Sequence, residues 1–154
     1  MAEKNFLRID KVKQFGHIET LLAEDELLNG HFAVLGTVVN TEEGEEVDYT
    51  LAAEGGEFDV LVAPVYVLQG RTNEDILTDS VPAGKPARGL VIEKGDVVSI
   101  NAELAPGVAK GDEVAVGAGG LGFKVAEEGD TVIGMAIDLN WLDNVGDLAV
   151  IRFA

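Results

Sequence analysis

Cysteine is absent from the 154 residues, which removes disulfide frameworks, thiolate nucleophiles and Cys-based zinc or iron-sulfur sites. Histidine is nearly so, with His17 and His31 alone. Each stands beside an apolar, strand-like run without a companion at metal-ligand spacing, so each reads as structural or simply exposed. Ser80 and Ser99 are the only serines, and neither lies in a G-x-S-x-G setting. A hydrolase needs a nucleophile with a base beside it, and no such constellation can be nominated. The expectation is a protein that is not an enzyme, with no catalytic residues, no cofactor and no metal site. Apolar runs of roughly 18 to 20 residues, the length that spans a bilayer, are also missing. The opening MAEKNFLRIDKVK lacks the apolar core of a secretion signal, so synthesis in a cytoplasm and no membrane partner are expected.

Positive charge is the next shortage. There are 11 Lys and Arg against 28 Asp and Glu, for a net charge of −17. The imbalance is uneven. Residues 1 to 13 hold Lys4, Arg8, Lys11 and Lys13 against Glu3 and Asp10, a local +2, which leaves −19 on the remaining 141 residues. Nucleic-acid binding draws its affinity from Lys and Arg that displace counterions around phosphates. A body this acidic repels such a partner, so no DNA or RNA is expected.

What the chain does have is hydrophobic residues, 47% of the total, and 19 glycines. That composition belongs to an ordered chain, and the length to one domain with a core of its own. The glycines recur in a pattern. KGDVVSI from Lys94 has a near-copy in KGDEVAV from Lys110, with echoes in EGDTVIG from Glu128 and VGDLAVI from Val145. Gly supplies the positive φ of a tight turn and Asp bonds nearby backbone amides, so each pair reads as a turn that launches a strand. A spacing near 17 residues fits a β meander. A biotinyl- or lipoyl-carrier hairpin would need a lysine in an MKM or DKA setting, which the chain lacks.

Further strands are expected at HFAVLGTVV (31 to 39) after Asn29-Gly30, at FDVLVAPVYVL (58 to 68) and at GLVIEK (89 to 94). In FDVLVAP, Phe58, Val60 and Val62 fall on one face, with Asp59, Leu61 and Ala63 opposite. DTVIGMAIDLNWL (130 to 142) is long and mostly apolar, which predicts a central strand covered on both faces. ETLLAEDELL (19 to 28) carries an imperfect helical stripe, so one short helix near the N-terminus is allowed. The predicted fold class is all-β, a single small barrel or sandwich of about ten short strands. The stretch GRTNEDILTDSVPAGKPAR, 70 to 88, reads as a surface loop, either a crossover or a contact site.

The carboxylate clusters EEGEE, EGGE and EEGD read as solvated turns. GAGGLG (117 to 122) leads into a strand-like FKV, so no phosphate cradle is expected. Asp138, Asn140, Asp143, Asn144 and Asp147 are oxygen ligands of the kind calcium prefers, without the EF-hand order. Trp141, the sole tryptophan, reads as a core or interface anchor in preference to a sugar-stacking platform.

Three segments, NGHFAVLGTVV, FDVLVAPVYVL and GKPARGLVIEKGDVVSI, together resemble the capsid decoration, or head cement, proteins of tailed bacteriophages. The likeness spans about residues 28 to 117 and rests on strand and turn patterns. It implies a β-rich virion structural protein on the capsid exterior that binds the major capsid protein lattice and stabilises it. It also implies self-association, with a trimer as the favoured homo-oligomer. The alternative is a phage tail or fibre component, or another surface-binding β module such as a carbohydrate binder. Within this reading, residues 1 to 17 are either an arm lying on the capsid lattice or on a neighbouring copy, or the first strand of the domain whose β-rich body is 18 to 154. Phe6, Arg8, Lys11, Lys13 and Phe15 are the expected partner-binding residues, with the cations meeting acidic groups and the two rings as buried anchors.

Overall fold

Short runs of Val, Ile, Leu and Ala between glycine turns become strands throughout. The computed structural model describes residues 5–11, 18–41, 44–62, 80–142 and 146–154. The strands are β1 (Leu7–Lys11), β2 (Ile18–Leu22), β3 (Leu27–Leu28), β4 (Phe32–Thr41), β5 (Gly44–Leu51), β6 (Val60–Val62), β7 (Ser80–Val81), β8 (Pro86–Leu90), β9 (Val97–Asn101), β10 (Glu113–Val116), β11 (Phe123–Val125), β12 (Gly134–Leu142) and β13 (Gly146–Phe153). Two single 3₁₀ turns, Ala102–Leu104 and Ala118–Gly120, complete the set. The all-β expectation holds, with thirteen strands among the described residues instead of about ten.

The strands form a closed barrel, β2-β5-β4-β6-β8, a six-stranded sheet, β1-β9-β13-β12-β10-β11, and the small pair β3-β7. Alternation along two barrel strands serves two cores. On β6, Val60 and Val62 join the barrel interior with Leu21, Leu27 and Ala33, while Leu61 joins the core shared with the sheet. On β4, Phe32 and Ala33 divide in the same way. Phe58 precedes β6 and breaks the expected alternation, packing on Leu61's side. Phe32 is the junction: its ring centroid lies 4.6 Å from Phe58, 5.4 Å from Phe123 on β11 and 6.4 Å from Phe153 on β13. Tilted and edge-on pairs of this kind add to the burial of the rings themselves.

Three Gly-Asp repeats are the same turn. Gly95, Gly111 and Gly129 have φ of 93°, 92° and 92°. The amides of Asp96, Asp112 and Asp130 donate to the carbonyls of Glu93, Ala109 and Glu127, each at 3.1 Å. Their Oδ2 atoms accept from the amides of those same residues, at 2.9, 2.9 and 2.8 Å. The reciprocal bonds close a four-residue ring in which the positive φ demands glycine and the second bond demands a carboxylate. Gly146, with φ 99°, opens β13 at the β12–β13 hairpin. The strands these turns launch do not form a simple meander, because β9 lies between β1 and β13 and not beside β10.

Three further expectations are corrected. ETLLAEDELL is not helical: Ile18–Leu22 is β2, bonded to β8 and, at Leu21, to β5, and Leu27–Leu28 is β3. The barrel needs a strand there to close, and Leu21 is fully buried between Val47 and Ala87 in the pairing register; tertiary pairing overrides helix propensity. The stretch 70 to 88 is not all loop, since Ser80–Val81 and Pro86–Leu90 are strands; residues 63–79 lie outside those described. Finally, β12 is not covered along its length. Only Gly134 and Met135 pair with β10, and after a bulge between Ala136 and Asp138 the strand continues with β13 as its one partner. Among the described residues no second strand reaches that far, and Asp138, Leu139, Asn140 and Trp141 are exposed there.

Candidate interaction surfaces

The N-terminal residues expected to bind a partner are distributed as follows. Phe6 is half-buried, and its carbonyl accepts from the amide of Asn101 at 3.1 Å. Arg8 lies on β1, an edge strand of the sheet, opposite Ser99, and its Nη2 donates to Ser99 Oγ at 3.3 Å. Lys11 ends β1 opposite Val97. Lys13 and Phe15 lie outside the described residues, as does His17. Phe6 and Arg8 are thus held to β9 and its extension, at the side of the sheet farthest from β11.

The residues weighed for chemistry have structural partners. His31 is buried, and its Nδ1 accepts from the Leu28 amide at 2.9 Å. That bond fixes the proton on the other nitrogen whenever the ring is neutral. Ser80 and Ser99 are both buried within strands. Asp138 Oδ1 and Asn140 Oδ1 accept from the amides of Leu139 and Trp141, at 2.9 and 2.8 Å. Asp143 and Asn144 are outside the described residues. Among the described residues, no group of three or more His, Asp or Glu side chains could hold a metal ion.

One charged cluster is built into the fold. Lys124 Nζ on β11 lies 3.0 Å from Asp130 Oδ2 and 3.8 Å from Glu54 Oε1. The same region is stitched by backbone bonds, Gly55 N–H to the Val116 carbonyl and Thr131 N–H to the Gly55 carbonyl, each 2.9 Å. The hydrogen bond to Asp130 holds the Lys124 ammonium above its usual range. The Glu127 amide, followed by Lys124, holds the Asp130 carboxyl below its own. This cluster ties the β5–β6 connection to the sheet and has no reactive geometry.

The surfaces that stand out are apolar. Trp141 is 62% exposed and Leu139 50%. They share one face of the β12–β13 hairpin, opposite Asp147 and Ala149 respectively. Asp138 and Asp147 are exposed beside them, and no Lys or Arg occurs from 136 to 151. At the other end of the same hairpin, Val132, Gly134, Met135 and Phe153 line an open hollow of about 440 Å³ rimmed by Lys94, Arg152 and Glu113. A smaller one of about 280 Å³ lies among Val34, Phe58, Thr131 and Ile133. Sequence reasoning missed the exposed tip by treating 130 to 142 as one apolar run. The signal was present in Asp138 and Asn140, which alternate with Leu139 and Trp141 and mark a strand with a wet side.

Neither a protein-family model nor a curated protein sequence matches the chain. Among solved structures, it is similar to the head fiber gp8.5 N base of bacteriophage phi29. The TM-score is 0.54 at 14% sequence identity, over 90% of this chain and 93% of that one. At that identity the likeness is one of fold.

Proposed function

We propose that this chain is a non-enzymatic structural protein of a bacteriophage head, bound to the outer surface of the capsid and stabilising it. The observation that carries the proposal is the match of nearly the whole chain to the base of a phage head fibre. A second line of support is independent of it: the strand and turn segments 28 to 117 resemble those of capsid decoration proteins. Charge agrees with an exterior place, because a chain of net charge −17 is repelled by packaged DNA and would sit with the capsid wall between them. The partner is the major capsid protein lattice. The segment around β1 makes the contact, with Arg8, Lys11 and Lys13 opposite carboxylates and Phe6 and Phe15 as anchors.

Co-sedimentation with DNA-free heads that lack this protein tests the reading. The chain is expected to pellet with the heads to a saturating ratio; a chain that stays in the supernatant at every concentration overturns it. Lys11→Glu with Lys13→Glu is expected to weaken that binding about tenfold, the loss of one or two charge-assisted contacts. Unchanged binding would move the contact away from the N-terminal segment. A second reading, a component of a head-attached fibre, is favoured by the same structural likeness. It predicts projections on the heads in place of a low coat.

A further inference from the structure

We infer that copies of this chain dock on one another head to tail, the tip of the β12–β13 hairpin of one copy seated in the hollow at the base of the same hairpin in the next. This goes beyond attachment to a capsid, because it names a contact between copies and the residues on each side of it.

The knob is the outer half of the hairpin. Leu139 and Trp141 project on one face beyond the last residue that pairs with β10, exposed at 50% and 62%. Such a tryptophan beside a leucine has the composition of a protein anchor more than of a sugar platform, where aliphatic surface contributes little. Asp147 faces Trp141 across the hairpin on that same side, the exposed Asp138 lies on the reverse side of β12, and no Lys or Arg occurs from 136 to 151. The socket has the opposite character. Its floor is Val132, Met135 and Phe153, and Val132 and Met135 are 40% and 39% exposed. Lys94 and Arg152 stand on its rim together with Glu113 and Ala154. Lys11 ends β1 at the level of Arg152, both being register partners of Val97. Its volume, about 440 Å³, lies within the roughly 300 to 1,000 Å³ of pockets that enclose drug-sized groups, large enough for an indole.

Knob and socket lie at opposite ends of one hairpin. Met135 and Trp141 are separated by six residues of extended chain, about 20 Å. One copy therefore cannot fill its own socket, and a second can. The charges are complementary although the whole molecule is negative. At physiological salt the Debye length is about 8 Å, so the local pattern at the contact outweighs repulsion between distant acids. A contact of this kind is heterologous, closing into a ring or running on as a chain according to the angle between successive copies.

Sedimentation velocity over a concentration series, read together with the emission of the sole tryptophan, tests the inference. Wild-type protein is expected to gain mass with concentration while Trp141 emission shifts to the blue. Trp141→Ala, which lacks the knob, and Met135→Asp, which places a carboxylate in the socket, are each expected to associate about thirtyfold more weakly. Both positions are exposed, and unchanged circular dichroism and Tm will show that the fold survives. An equimolar mixture of the two variants supplies one intact knob and one intact socket. It is expected to form 1:1 pairs and to restore the blue shift. A monomer at all concentrations, association that either variant leaves intact, or a mixture that fails to pair overturns the proposal. So does a monomer whose Trp141 emission shifts only when heads or cell-wall glycans are added, which would assign the tip to that partner.

Discussion

At the residue scale the fold depends on positions where one atom more or less is decisive. Phe32 is fully buried and meets three other rings, so Phe32→Ala removes the contact that joins barrel and sheet. Truncations of this kind cost about 3 to 5 kcal/mol, or on the order of 10 °C in Tm, and a thermal melt checks it. Two glycines with similar dihedrals should behave differently. Gly111, φ 92°, has nothing within 4 Å of an added Cβ, so Gly111→Ala meets only the left-handed strain of about 1 to 2 kcal/mol. Gly122, φ 69°, packs its α-carbon against the Leu104 backbone, and an added Cβ would overlap the Leu104 carbonyl. Gly122→Ala is expected to be much the more destabilising, and equal melting temperatures for the two variants would contradict this packing. Sequence alone marks Gly111 as a turn glycine and gives Gly122 no such role. The difference in cost comes from the close approach of another segment, a long-range fact.

At the element scale, the Gly-Asp turn was legible because its chemistry is local. A positive φ and a carboxylate three residues from the amide it accepts are written in four consecutive letters. The strand pairing was not, because β1, β9 and β13 are brought together from residues far apart in sequence. The stretch 19 to 28 shows the same limit: its leucines fit a helical stripe locally, and β5 and β8 decide otherwise. The third turn adds a pH-dependent element. Asp130 is held below its ordinary 3.8 by the Glu127 amide and then Lys124, so its contribution is fully present above that value and lost as pH falls through the folded one. Lys124 is held above 10.5, chiefly by its bond to Asp130; its contribution is present below 10.5 and lost as pH rises through the folded value. Asp130→Asn keeps an acceptor for the Glu127 amide and removes only the charge. Its Tm is expected to lie below wild type by an amount that is constant near neutrality. That difference should close under strong acid and narrow, by the share that Lys124 supplies, under strong alkali. A difference that persisted at low pH would show that the charge is not what matters.

At the scale of the whole molecule, the run of short apolar segments between turn signals carried the all-β class and composition the acidic charge, while the surfaces that could carry function needed the three-dimensional arrangement. Leu139 and Trp141 became visible as a candidate contact site only because β10 begins at Glu113, opposite Met135, and among the described residues no strand other than β13 pairs with the far half of β12. The N-terminal cations were legible as a charge reversal, and the structure adds that Arg8 and Lys11 lie on an edge strand. The function proposed above is surface fit to a phage head. Electron microscopy of DNA-free heads prepared with and without the protein tests that most directly. The account predicts added density on the outer face of the capsid wall, repeated with the lattice, into which the barrel and six-stranded sheet fit. Heads that look the same in both preparations, or density confined to the inner face, would contradict it.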